Sequence, residues 1–347
     1  MESDIYNKLR SRSLSVKEKK EIEKVILEYD IKVLDICYIS GYYIIKDAEG
    51  KTFKLSRIKH GLDKTKASFI ISDKLMTAGF NNFICYYKTK KDKLFVKSKE
   101  TLYFVTNYKE NKAIDYNSED FEKIFSLVAR FHYLSTIIMK ENIRIKDKST
   151  NWYVEFDKRF KMLLYIKKIV NNKRNLDAFD ELYINTLDSA RAFGLKAIEL
   201  LQDSDLVLKD SVKVIELSTS CFKRICKSDE YFIDGIEKLR KNYKLWDIAR
   251  IIRKTMFISN FHWDFLYAKT FLEAYSLENK LSKDELKIIL AFIIFPKDFW
   301  KLGYNKYIKH VEIEENNYIH KLNKIVKYLV EEEAFINNFS QYILDKD

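Results

Sequence analysis

The chain has 347 residues, a formal charge of +12, and a composition that is 47% hydrophobic and 15% aromatic. That apolar content supports one large core or two moderate ones and excludes a wholly disordered chain. The basic residues are spread along the sequence and form no tract, so they read first as a solvated surface that attracts anions, not as a nucleic-acid arm.

The first predicted element is a helix over 15–28, with Ser15 as cap, Glu18 three residues on, and Ile22, Val25 and Ile26 as its apolar stripe. From 31 to 58 the pattern becomes a β-meander: β-branched residues from Ile31, a break at Gly41, Tyr42–Lys46, a turn at 47–50, then Lys51–Ile58. In this last strand Phe53 and Leu55 take one face and Lys54 and Ser56 the other. A helix over 64–78 follows, with Phe69, Ile70, Leu75 and Met76 as its apolar positions and Gly79 as its stop. Strands are expected near 83–89, 93–97 and 103–106, and Lys109–Lys112 reads as a linker.

Beyond it the chain is mostly helical, as one proline (Pro296) and seven glycines would allow. Ser118 is expected to cap a helix carrying Phe121, Phe125 and His132. Further helices are expected near 151–171, 177–202, 244–257, 260–276, 282–294 and 314–344. A β-hairpin, Cys221–Lys227 with Tyr231–Ile233, interrupts them. The four cysteines, Cys37, Cys85, Cys221 and Cys226, make no CxxC pair and no zinc spacing, so reduced thiols are expected. The first residues lack a basic region followed by an apolar one, and the longest apolar run, Ile288–Phe295, is too short to span a bilayer. Synthesis in the cytosol without a signal peptide, and no membrane partner, are the expectations.

This order predicts an α+β fold: residues 1–108 form an antiparallel sheet with one inserted helix, 109–347 form a helical body with a β-hairpin, and a ligand cleft separates the two lobes. Several segments add to it: Gly50-Lys-Thr-Phe-Lys-Leu55, Ala78-Gly-Phe-Asn81, Leu127–His132, Tyr231-Phe-Ile-Asp234, Trp246–Arg253 and Phe295–Leu302. In this order and spacing the chain resembles the kinase-like spore coat protein S family of endospore-forming bacteria. That family lies in the aminoglycoside and choline kinase branch of the protein-kinase-like fold.

The resemblance implies ATP and magnesium as ligands, other spore coat proteins as partners, and a spore coat location. It also implies a set of site residues. A strand lysine holds phosphates, a helix acid holds that lysine, a loop Asp takes the hydroxyl proton, and an Asn and a second Asp hold metal. Where the family has a hydrophobic-Lys pair, this chain has Leu55-Ser56; Lys54 lies two residues earlier, on the same face as Ser56 and displaced by roughly 6–7 Å. Lys54 is therefore either the phosphate lysine or a solvated strand lysine. Asp73 is the acid in the middle of the inserted helix. Counting back from Asp234, the metal-binding position, the Asn falls at Cys221 or Phe222, the base at Glu216 or Leu217, and the His at Val214 or Ile215. No His or Asn occurs between 186 and 241, and sulfur or phenyl does not replace an amide oxygen on a hard cation. Glu216 is a substitute base or an ordinary exposed acid; Asp234 is a residual cation ligand or a turn aspartate before Gly235. Asp247 takes a structural role, bracing the loop or capping a helix, and His132 reads as a core histidine.

Two functional expectations follow. The first is a pseudokinase, a catalytically degenerate coat component that acts structurally or in assembly. The second is an active ATP-dependent small-molecule phosphotransferase using Lys54, Glu216 and Asp234. A nucleic-acid-binding module has no helix-turn-helix, zinc-finger or RNA-recognition signature behind it.

Overall fold

The computed structural model describes residues 11–58, 62–110, 112, 114, 117–138, 150–202, 213–216, 225–234, 240–312 and 314–346. Its contacts divide the chain into two compact units: 1–115, 130–146 and 217–240 form the first, and 116–129, 147–216 and 241–347 the second.

The first unit is built on a sheet whose every pairing is antiparallel. The strands are β1 (Ser11–Arg12), β2 (Val33–Ile39), β3 (Tyr42–Asp47), β4 (Thr52–Arg57), β5 (Tyr86–Tyr87), β6 (Val96–Ser98) and β7 (Thr101–Asn107). Their order is β1-β2-β3-β4-β7-β5, with β6 also on β7. Ser40 and Gly41 both have positive φ, 50° and 97°, which suits the two-residue β2–β3 turn. The β3–β4 turn is held by Asp47, whose carboxylate accepts from the Glu49 and Lys51 amides at 3.0 and 2.7 Å.

Alternation then sorts the side chains. Tyr43, Leu55 and Val105 are cross-strand partners in one buried row. Helix α1 (Val16–Ile26) packs Ile22, Val25 and Ile26 onto that face. Ser15 caps α1 as expected, accepting from the Glu18 amide at 3.2 Å. The opposite face carries the row Ile44, Lys54, Thr106 and Tyr86.

Helix α2 (Leu62–Thr77) ends at Gly79, φ 79°, with the Gly79 and Phe80 amides donating to Met76 and Leu75. Its buried positions are Ser68, Phe69, Ile71, Ser72 and Leu75; Ile70 and Met76, expected on the apolar stripe, are exposed. The buried arc is centred on 68, 71, 72 and 75, which puts Ile70 on the opposite side of the helix and Met76 at the edge of the arc.

In the second unit α3 (Ser118–Ile138, of which residues 130–138 belong to the first unit) is capped by Asn117 instead of Ser118. The Asn117 carboxamide accepts from the Asp120 amide at 2.8 Å, and Ser118 lies one place inside. Helices α4 (Trp152–Asn171), α5 (Ala178–Gln202), α6 (Lys244–Met256) and α8 (Lys283–Ile294) fall where the periodicity places them. Helix α7 (Phe265–Glu278) starts later than expected, because His262 and Trp263 have positive φ and Asp264 is its cap. Helix α9 (Lys297–Tyr307) was not anticipated. The long segment expected over 314–344 divides at Lys327–Tyr328 into α10 (Glu315–Val326) and α11 (Leu329–Leu344). A two-stranded ladder of β8 (Lys213–Glu216) with β11 (Arg240–Tyr243) was also missed.

Helix α8 is the axis of this unit. It is capped by a reciprocal Ser282–Glu285 box, buries every residue from Ile288 to Ile294, and touches α5, α6 and α11. Trp152 stacks on Trp246 at 4.1 Å and Phe156 on Phe295 at 3.8 Å beside it. A second core gathers α4, α5, α9 and α10. There the buried Asp180 accepts from Lys173 and, at 2.7 Å, from the Tyr307 hydroxyl, with Lys306 at 3.6 Å. Burial alone would raise its carboxyl, but these donors outweigh it and hold the group below its ordinary value.

Helix α9 crosses this core where Gly303 meets Tyr183. A Cβ at Gly303 would lie 2.1 Å from the Tyr183 hydroxyl, and that ring is buried and stacked on Phe299 at 4.3 Å. Gly303→Ala should therefore destabilise by about 1–3 kcal/mol in chemical denaturation, although alanine is the better helix former. Glu332, in the first turn of α11, is 5% exposed, and burial pushes its carboxyl from 4.5 up to about 7 against the pull of Arg253. The folded state thus holds the proton more tightly. The penalty is absent below pH 4.5, grows as pH rises to about 7, and is constant above. Glu332→Gln is expected to gain up to about 3 kcal/mol at pH 8 and nothing at pH 4, read from paired melts.

Candidate functional site

A short hairpin builds the site from a distant part of the sequence. Strands β9 (Ile225–Lys227) and β10 (Tyr231–Ile233) pair antiparallel around Ser228–Glu230, close to where the sequence predicts them. Cys221 to Arg224, expected in the first strand, lie outside the described residues. The Ile233 amide donates to the Asn82 carbonyl at 2.9 Å, and the Ile84 amide donates to the Ile233 carbonyl at 3.0 Å. The Asn82 side chain reinforces this, reaching Glu230 at 3.1 Å and the Tyr231 carbonyl at 3.3 Å. Lys112 holds the other strand through its amide, 2.7 Å from the Lys227 carbonyl, and its ammonium, 2.9 Å from Asp229.

The residue after this anchored strand is Asp234, and its carboxylate lies 3.9 Å from the Lys54 ammonium. Both side chains are partly exposed, at 25% and 32%. The Lys54 ammonium also sits over the Tyr42 ring, 4.7 Å from its centre. Burial first, then the charges of Tyr108 and Asp234, raise the Tyr42 hydroxyl above its ordinary value. Lys54, Tyr42 and Asp234 thus form one cluster, assembled from strand alternation and from the hairpin.

The other expected residues are elsewhere. Ser56 shares the strand face of Lys54, half-buried, opposite Phe104. Asp73 is 57% exposed and pairs with Lys88 at 3.7 Å, so the acid beside Lys54 is Asp234. Glu216 ends strand β8, and its side chain lies outside the described residues, as do Leu217, Cys221 and Phe222. Asp247 is fully buried in the first turn of α6 but is not the cap; Tyr243 holds that place, because β11 runs directly into the helix. His132 is fully buried on α3 beside Phe131, in keeping with a core histidine. Sequence reasoning missed Tyr42 and Asn82. The alternation in 42–46 carried the signal for Tyr42; nothing local marks Asn82, whose role depends on a segment far along the chain.

Asp234 faces an ammonium, and among the described residues no three His, Cys, Asp or Glu side chains gather to hold a metal ion.

Residues 22–339 match the family model described as "Spore coat putative kinase YutH". The chain belongs to this family. Among solved structures, this YutH-family chain is similar to an aminoglycoside phosphotransferase from Alicyclobacillus acidocaldarius, with a TM-score of 0.80, 16% identity, and coverage of 93% of this chain and 96% of that one. It is also similar to spectinomycin phosphotransferase APH(9)-Ia, solved with ADP and spectinomycin (TM-score 0.56, 13% identity, 91% and 98% covered). A third is amicoumacin kinase hAmiN, solved with AMP-PNP and Ca2+ (TM-score 0.53, 14% identity, 94% and 97% covered). No curated protein matches. The fold of the YutH-family chain is accordingly the two-lobed, protein-kinase-like one the sequence implies, with an antiparallel N-terminal sheet and a large helical C-terminal region. No described helix is long and apolar enough to cross a membrane.

The Lys54–Asp234 pair is long and partly solvated, so its worth is small. A double-mutant cycle with Lys54→Met and Asp234→Asn should return a coupling of about 1 kcal/mol or less, falling as salt rises.

Proposed function

We propose that this chain is a catalytically degenerate member of its kinase-like family and serves the spore coat as a structural or assembly component. One observation carries the reading: no His or Asn occurs between 186 and 241, where the resemblance expects the loop histidine and the metal-holding amide. Phosphoryl transfer asks a protein for little besides positioning and charge stabilisation. The base, the amide and the loop histidine are replaced at 214–222 by residues that do not supply their chemistry, Glu216 apart. Groups that act as one catalytic unit are lost together, not in proportion.

The family description supports association with the coat, and with it other coat proteins as partners. The 23 tyrosines are side chains favoured at protein interfaces, in keeping with an assembly role. The competing reading, an active small-molecule phosphotransferase, draws support from the adjacency of Lys54 and Asp234, with Glu216 as base.

Calorimetric titration of ATP, with and without magnesium, separates the two when combined with an assay for ATP turnover. Degeneracy predicts no magnesium-dependent binding and no turnover above the buffer rate. Magnesium-dependent turnover that Asp234→Asn abolishes would overturn it and establish the phosphotransferase.

A further inference from the structure

Three helices of the second unit wall a cavity of about 440 Å³ that the kinase-like site does not use. On α9 the residues that line it are Asp298, Lys301, Leu302 and Asn305, spaced i, i+3, i+4 and i+7, so they form one stripe. On α10 they are Lys321, Lys324 and Ile325, again at i, i+3 and i+4. Phe257, the residue that ends α6, closes the third side. Helical periodicity thus turns two stripes toward one space.

The lining separates into an apolar floor and a charged rim. Leu302 is buried and Ile325 packs against the core of α4, α5, α9 and α10, so both are fixed in place. Phe257 is held edge-on by Trp263 at 5.2 Å and by Tyr328 at 6.2 Å. The rim carries three exposed lysines, Lys301, Lys321 and Lys324, and among the described residues no carboxylate pairs with any of them. Asp298 is the one acid of the lining, and Arg253, which is not part of the lining, lies 4.0 Å from it. The rim is therefore net positive around an apolar floor, a combination that draws anions. The Asn305 side chain is half-buried and makes no hydrogen bond among the described residues, so its amide is available to a ligand.

We propose that this cavity binds a small amphipathic carboxylate, an apolar body bearing one anionic head. Its volume falls in the range of small-molecule sites, which join apolar walls to a few polar groups that fix orientation. Burial of the body against Phe257, Leu302 and Ile325 supplies most of the attraction. The lysines and the Asn305 amide then orient the head through charge-assisted hydrogen bonds. Two features favour a carboxylate over a phosphate. The lining holds no arginine, so no rigid fork is present to grip an oxyanion through parallel donors. Asp298 at the rim also opposes a second negative charge. The site uses none of Lys54, Glu216 and Asp234, so it stands whether or not the chain transfers phosphate.

The test is calorimetric titration of the full chain with octanoate, octanol and acetate at low ionic strength. Octanoate is expected to bind saturably and more tightly than either of the others. Lys321→Gln and Lys324→Gln combined should weaken it about tenfold. Both positions are exposed, so the double variant perturbs no core, and circular dichroism confirms that it is folded. Lys19→Gln, at an exposed lysine on α1, should leave the affinity unchanged. No saturable binding of octanoate overturns the proposal. Octanol at equal affinity does so as well, since the lysines would have no role, and acetate at equal affinity would leave the apolar floor without one. A loss with Lys19→Gln as large as with the double variant also overturns it, because the attraction would then be diffuse.

Discussion

Two main-chain hydrogen bonds, from Ile233 to Asn82 and from Ile84 back to Ile233, determine what the first unit can present. They attach a three-residue strand to a stretch that has no ladder partner of its own in the N-terminal sheet. Asp234 follows that strand directly, so its position is set by backbone pairing and not by any attraction to Lys54. The ion pair is a consequence of this anchoring. At 3.9 Å and partly solvated it is too weak to be its cause.

The packing of the second unit is likewise independent of Lys54 and Asp234. The second unit is stabilised by α8, buried from Ile288 to Ile294, by the tryptophan and phenylalanine stacks beside it, and by the satisfied carboxylate of Asp180. None of these groups belongs to the phosphate-transfer set. Asp247 is kept as a buried first-turn residue, and His132 as a buried neighbour of Phe131.

Much of this was legible in the sequence because it is written in local periodicity. The strand alternation at 52–57 correctly put Phe53 and Leu55 on one, buried, face and the half-buried Lys54 and Ser56 on the other. Gly79 and Ser15 marked helix ends through well-understood cap chemistry. Errors arose where two local signals compete. Asn117 and Ser118 are both good caps, and only the geometry of the Asp120 amide decides between them. Helix α9 was hidden behind the lone proline, which ends α8 and opens the next helix at once. The replacement of Asp73 by Asp234 as the acid beside Lys54 was not legible, because it depends on a contact between segments far apart in sequence.

The same long-range contact has a temporal side. Asn82 and Tyr231 are separated by 149 positions, and a ribosome working at roughly 5–20 residues per second needs roughly 7 to 30 s to make that stretch. During this interval every strand of the N-terminal sheet has been made, but not the separate hairpin that pairs with residues 82–84. The amides and carbonyls of residues 82–84 then face solvent beside Phe83 and Ile84, both buried in the finished fold. An unpaired apolar edge of this kind is an aggregation risk. The nascent chain thus has a defined window of vulnerability, one that closes only when the β9–β10 segment leaves the exit tunnel.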